Sequence, residues 1–113
     1  MRLPNAEYAV IDPRKLYDYL LNTGHQDGSS KARFLALAGY TAEDWARLEY
    51  DLRSQHLAQE AEVGRPSPYG QKYEIVGPLV GPNGVTLMVR SIWIIRHGLT
   101  NPGLVTLIPE GRR

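Results

Sequence analysis

The first stretch of regular apolar spacing follows the segment Asp12-Pro13. Leu16, Leu20 and Leu21 fall on one stripe at helical spacing. An aspartate accepts hydrogen bonds from the free amides of a first helical turn, and proline suits the first helical position because it has no amide to leave unpaired. The pattern therefore predicts a helix over residues 13–21.

Two further helices are predicted before the middle of the chain. A polar, glycine-containing turn separates the first helix from a second one over 31–38, for which Ser29 or Ser30 is the expected N-cap and Gly39 the expected end. A third helix is predicted to start after a capping threonine, Thr41, and to carry its apolar stripe to about residue 56.

Glycine and proline then break the chain into short pieces, which makes further helices unfavourable. Residues 71–76, 85–95 and 104–108 alternate or are rich in β-branched side chains, as strands are, and 59–63 is a less certain first strand. Asn83-Gly84 is a strong hairpin signal because tight hairpins need positive φ angles. The prediction is one α+β domain over 1–113, with about three N-terminal helices followed by a four-stranded antiparallel sheet.

Composition narrows the chemistry. The 113 residues include no cysteine, and 13 basic against 12 acidic residues leave a net charge of +1, without the strongly basic balance of many nucleic-acid-binding domains. Neither a membrane-spanning apolar run nor an apolar signal core is visible, so a cytoplasmic location is expected. The motifs for nucleotide binding and ester hydrolysis are missing, and the three histidines lack metal-ligand spacing, so no cofactor and no metal is predicted.

His25 is the strongest catalytic candidate. It lies in a polar loop just before the second helix, where an imidazole can act as a general base or acid. The competing interpretation is a histidine that only hydrogen-bonds within its own turn. Lys31 falls at the start of the same helix, where an ammonium and free amides together suit a phosphate, although a solvated charge would also account for it. His56 and His97 are interpreted as ordinary surface residues.

Two positions in the predicted sheet complete the candidates. Arg90 shares one strand face with Met88, Ile92 and Ile94, where it would either pair with Glu74 or Glu62 or clamp a phosphate. Thr106 lies among apolar residues of the last strand, where a β-branched residue needs no functional explanation.

A set of ordered blocks runs along nearly the whole chain: Leu3-Pro4-Asn5-Ala6, Val10-Ile11-Asp12, Lys15-Leu16, Tyr19-Leu20-Leu21, His25, Gly28, Lys31-Ala32-Arg33-Phe34, Gly39, Tyr69-Gly70, Gly77-Pro78-Leu79, Gly81-Pro82-Asn83-Gly84, Trp93 and Leu104-Val105-Thr106. These blocks resemble a bacterial and archaeal domain family of unknown function. The layout of the elements is also similar to the barnase/EndoU/colicin/RelE ribonuclease superfamily, which contains many toxins.

The resemblance implies a metal-independent ribonuclease toxin with RNA as substrate and a small antitoxin or immunity protein as partner. His25 would then transfer protons, Lys31 and Arg90 would stabilise the charge that develops on phosphorus, and Thr106 would orient the phosphate. The alternative is a non-catalytic protein-interaction domain, because shared folds carry unrelated functions. A catalytic site built from these residues is expected in the groove between the helices and the sheet.

Overall fold

The computed structural model describes residues 1–110. A short 3₁₀ turn, Ala6–Tyr8, precedes the helices. Helix α1 comprises Pro13–Lys15 and continues into a π-helical segment, Leu16–Leu20; α2 is Ser29–Ala36; α3 is Trp45–Asp51 and continues into a second π-helical segment, Leu52–His56. The strands are β1 (Glu62–Ser67), β2 (Gly70–Val80), β3 (Thr86–Arg96) and β4 (Gly103–Pro109). The predicted α+β class is confirmed.

The helix boundaries follow the local chemistry with one exception. The Asp12 carboxylate accepts from the Arg14 amide at 3.0 Å, as expected of an N-cap. α2 ends at Ala36, and in the turn that follows Gly39 has a φ of 93° while the Tyr40 amide donates to the Leu35 carbonyl at 3.3 Å. The prediction that Ser29 or Ser30 caps α2 is wrong: Gly28 is the N-cap, and neither serine side chain makes a capping hydrogen bond within the described residues.

The four strands form an antiparallel sheet in sequence order, with β1 and β4 at its edges. β2 runs past Gly77-Pro78, where the sequence pattern placed its end. β1 last pairs with β2 at Glu74, so Pro78 lies on a stretch of β2 with β3 on one side only, and its missing amide costs no hydrogen bond to β1. β1 itself starts later than predicted, at Glu62.

The helices cover one face of the sheet. Along β3, Leu87, Val89 and Trp93 are buried against them, while Met88 and Arg90 lie on the opposite face, as the alternation predicted. We call that opposite face the open face. The resulting core contains most of the leucines of the helices together with the inward residues of β2, β3 and β4.

His56 corrects the sequence interpretation, because it is fully buried rather than on the surface. Its Nδ1 lies 2.7 Å from the Ser91 hydroxyl, which also accepts from the Trp93 indole at 2.9 Å, and its Nε2 lies 3.3 Å from the Gly77 carbonyl oxygen. A carbonyl only accepts, so the neutral ring carries its hydrogen on Nε2 and Ser91 donates to Nδ1. Burial lowers the pKa of His56. The network joins the end of α3 to β2 and β3.

Within residues 1–110, no helix combines the length and the apolar character that crossing a bilayer requires.

Candidate functional site

A groove of about 650 Å³ lies between α1 and the edge strand β4, with the loop before α2 at its end. Its walls include Lys15, Asp18 and Tyr19 from α1, His25 and Asp27 from the loop, and Thr106 from β4. We call it the Tyr19 groove. Helix and sheet residues thus meet where the sequence predicted a site, at a junction of the two halves of the chain.

Tyr19 joins the two walls. Its hydroxyl lies 3.0 Å from Oγ1 of Thr106, and either group can donate. Two irregularities set this position: Tyr19 belongs to the π-helical segment, and Thr106 follows Val105, an extra residue that bulges from β4. π-turns and β-bulges both redirect side chains and are frequent at functional sites.

Lys15 protects the exposed edge of β4 within the groove. Its Nζ donates to the Val105 carbonyl at 3.1 Å, and both residues are partly buried. An unpaired carbonyl at a sheet edge would otherwise be left to solvent or to another chain. The lysine therefore places a positive charge at the base of the groove while holding α1 against the strand.

His25 both closes its own turn and faces the groove. Its Nδ1 accepts from the amides of Asp27 at 2.9 Å and Gly28 at 3.0 Å. Both partners only donate, so the neutral ring must carry its hydrogen on Nε2. His25 thus makes the hydrogen bonds within its turn that the competing interpretation predicted. The imidazole keeps one further donor, Nε2–H, for anything bound in the groove.

Lys31 and the His25 ring both pack around Tyr19. The imidazole meets the tyrosine ring edge to face, with 5.1 Å between centroids, and the Lys31 ammonium lies 5.6 Å from the centre of the same ring. Such a cation–π contact stabilises the position of an otherwise mobile ammonium. Within residues 1–110 Lys31 makes no ion pair. It borders the groove through Tyr19 and is not itself one of the lining residues.

Gly28 allows the loop to pack this closely. A Cβ at this position would lie 2.1 Å from the Tyr19 carbonyl oxygen, far inside van der Waals contact. The backbone of the loop therefore rests directly on the backbone of α1, which brings His25 beside Tyr19.

Arg90 does not belong to this site. Its guanidinium donates to both carboxylate oxygens of Glu110, at 3.0 and 3.2 Å, and also to Glu74. The hydrogen bonds to Glu110 and Glu74 raise the pKa of Arg90. Of the two interpretations offered by the sequence, the ion pair with Glu74 is confirmed, and the role as a phosphate clamp loses its basis, because two carboxylates already neutralise this charge on the open face.

The charge of the groove is mixed. Arg14 hydrogen-bonds to Asp12 and holds the pKa of that exposed carboxyl below its usual range. Asp18 and Asp27 add carboxylates on the rim. Over residues 1–110 no cluster of three or more His, Asp or Glu side chains is arranged to hold a metal ion.

Sequence reasoning missed Tyr19 and Lys15 as members of the site. Tyr19 was one of seven scattered tyrosines and Lys15 one charge on a helix. The available signal was their spacing on α1, since residues four apart share a helix face. Nothing in the sequence alone says that this face meets β4.

No curated protein matches the chain significantly. Among solved structures, the fold is similar to one chain of the "Contact-dependent growth inhibition toxin - immunity protein complex from Klebsiella pneumoniae 342", with a TM-score of 0.66 over 89% of this chain and 99% of that one, at 16% sequence identity. At that identity the likeness concerns the fold. A family model covers residues 2–111, so the chain belongs to the family described as "Domain of unknown function (DUF6883)".

Proposed function

We propose that this protein is a toxin-like domain that cleaves RNA without a metal ion, in the Tyr19 groove. One observation carries the proposal: three of the four residues selected for this chemistry, His25, Lys31 and Thr106, converge around the Tyr19 side chain. The fold shared with a chain of a toxin–immunity complex supports it.

The reaction would be an attack of a ribose 2′-oxygen on the adjacent phosphorus. A bond forms between the 2′-oxygen and phosphorus, the bond to the 5′-oxygen breaks, and a 2′,3′-cyclic phosphate and a free 5′-hydroxyl result. The 2′-proton passes to a carboxylate on the rim, Asp18 or Asp27, and the 5′-oxygen takes a proton from water. No electrons are gained or lost.

The remaining groups stabilise charge. His25 donates its Nε2–H and Lys31 its ammonium to the non-bridging phosphate oxygens, where negative charge accumulates. The hydroxyls of Tyr19 and Thr106 orient the phosphate. The geometry favours this donor role for His25 over proton transfer, because Nδ1 is already occupied by the amides of Asp27 and Gly28.

The test is cleavage of total RNA by the purified protein in EDTA. The informative variant is His25→Asn, because the asparagine oxygen can still accept from the amides of the turn while the Nε2–H is lost. We expect cleavage by the wild type, a loss of about 10²-fold in His25→Asn, and no change in the exposed control His97→Asn. Absence of cleavage by the wild type, or equal rates for the wild type and His25→Asn, would remove the proposal.

A non-catalytic interaction domain is the second candidate, and the open face favours it. Val76, Val80 and Met88 are 39–48% exposed there, as residues of a protein-binding surface are. A small antitoxin or immunity protein could bind this face, and such a partner is also expected if the protein is a ribonuclease toxin. Expression separates the two: a ribonuclease produced alone should arrest its host, with relief by His25→Asn, whereas an interaction domain should be tolerated with either residue.

A further inference from the structure

A second cavity of about 440 Å³ lies on the open face, where β3 turns into β4. Val10, Ile94 and Leu99 give it apolar walls, and Arg96 and Asn101 stand at its border. Its depth has a simple origin, since Gly103 is the residue opposite Ile94 in the sheet and has no side chain to fill the space. We call it the Leu99 pocket.

The Leu99 pocket is preformed. The Asn5 side-chain amide donates to the Thr100 carbonyl at 2.9 Å, and the Leu99 amide donates to the Arg96 carbonyl at 2.9 Å. The Val10 backbone is hydrogen-bonded to Pro102 and Leu104 at 2.8 and 3.0 Å. A pocket fixed from both sides avoids the entropic cost of ordering a loop on binding.

A third cavity of about 260 Å³ connects the Leu99 pocket with the Tyr19 groove. It shares Val10 and Arg96 with the pocket, and Lys15 and Val105 with the groove. Because neighbouring cavities share these residues, we treat the three as one trough along the edge of β4. From Gly103 to Thr106 the strand advances only as far as β3 does from Ile94 to Ile92, because Val105 bulges; at 3.3 Å per residue this is about 7 Å.

We propose that the Leu99 pocket holds a nucleobase of the RNA strand whose scissile phosphate lies in the Tyr19 groove, so that the substrate is single-stranded. This inference rests on the proposed function. The length fits, because two stacked nucleotide steps at about 3.4 Å each also span about 7 Å. The chemistry fits as well: apolar walls cover the faces of a base, and the bases must be splayed from a partner strand to enter a pocket.

Two cations follow the trough between the pocket and the groove, as a phosphate backbone requires. Lys15 lies where the connecting cavity meets the groove. Arg96 is exposed at the border of the pocket and makes no side-chain hydrogen bond or ion pair to any residue of 1–110. A guanidinium in this place can bind a phosphate bidentately or stack on the base.

Binding of an uncleavable strand tests this inference separately from catalysis. The probe is a fluorescein-labelled 2′-O-methyl oligonucleotide of eight residues, which lacks the attacking hydroxyl, and the readout is fluorescence anisotropy. We expect Leu99→Asn to bind about tenfold more weakly, as for loss of one base contact. Leu37→Asn is the matched control, because Leu37 is 63% exposed and Leu99 59% exposed, and Leu37 lies just beyond α2. Arg96→Gln should weaken binding and reduce its salt dependence.

The outcomes separate the two proposals. If Leu99→Asn and Leu37→Asn bind alike, or if a duplex binds as tightly as the single strand, the pocket is not a base site, whatever the cleavage result. If the wild type binds no oligonucleotide, the inference is overturned and a protein side chain becomes the candidate occupant. If binding depends on Leu99 while RNA remains uncleaved, the pocket inference stands and the proposed catalysis falls.

Discussion

The hydrogen bond between Tyr19 and Thr106 connects the helical half of the protein to the sheet, and its removal can be predicted in detail. Tyr19→Phe deletes one hydroxyl and keeps the ring that contacts His25 and Lys31. The bond is 3.0 Å long and partly buried. A bond of this kind contributes about 0.5–1.5 kcal/mol to the free energy of unfolding, so Tyr19→Phe should lower it by that amount.

A double-mutant cycle isolates the bond from other effects of each substitution. Thr106→Val removes the second hydroxyl while keeping the β-branched shape, and once one partner is gone, losing the other should cost little. The coupling energy should therefore be about 0.5–1.5 kcal/mol. Urea unfolding of the wild type, both single variants and the double variant measures it, with Tyr50→Phe as the control because Tyr50 is 66% exposed. Losses that add to within about 0.3 kcal/mol would refute the contact.

Three further outcomes follow from the same structure. Gly28→Ala places a methyl group against the Tyr19 carbonyl and should destabilise the protein by about 1–3 kcal/mol, measured by urea unfolding; an unchanged midpoint would contradict the close packing of the loop. His56 is held neutral in the folded state, whereas in the unfolded chain it binds a proton below its ordinary pKa of 6.5. The free energy of unfolding should therefore fall as the pH drops below that value, by at most about 1.4 kcal/mol per pH unit from this group. A free energy of unfolding in urea that stays constant between pH 7 and 5 would contradict this. Arg90→Gln breaks the ion pairs to Glu74 and Glu110 and should leave the RNA cleavage rate within about twofold of the wild type when stability is matched. A loss of cleavage rate as large as that of His25→Asn would show that Arg90 contributes to the site.

The fold was predictable because its local signals agree with one another. The sequence predicts the N-cap Asp12, a left-handed Gly39 soon after α2 and the alternation along β3 from a few neighbouring residues each, and the structure has all three. β2 was underestimated because a glycine–proline pair normally ends a strand. Whether a strand can continue through Pro78 depends on how far β1 pairs with β2, and that pairing is set by the tertiary structure.

The site was only half predictable. His25 and Lys31 were identified from their place before a helix, but Tyr19 was not, because its role comes from a contact with Thr106, 87 positions away in the sequence. A π-turn in α1 and a bulge in β4 set that contact, and neither has a signal in the sequence alone. Hydrogen bonding of His25 within its own turn was one of the two alternatives offered by the sequence, but the caps expected for α2 were Ser29 or Ser30, which are better known capping residues than histidine.

The central claim is that the Tyr19 groove cleaves RNA without a metal ion, with the 2′-hydroxyl of the RNA as the attacking group. The most direct measurement compares two labelled oligonucleotides of the same sequence in EDTA, one with ribose throughout and one with 2′-deoxyribose throughout. We expect that only the ribose strand is cut, that the fragments end in a 2′,3′-cyclic phosphate, and that His25→Asn but not His97→Asn suppresses the reaction. Cleavage of both strands, or of neither, would contradict it.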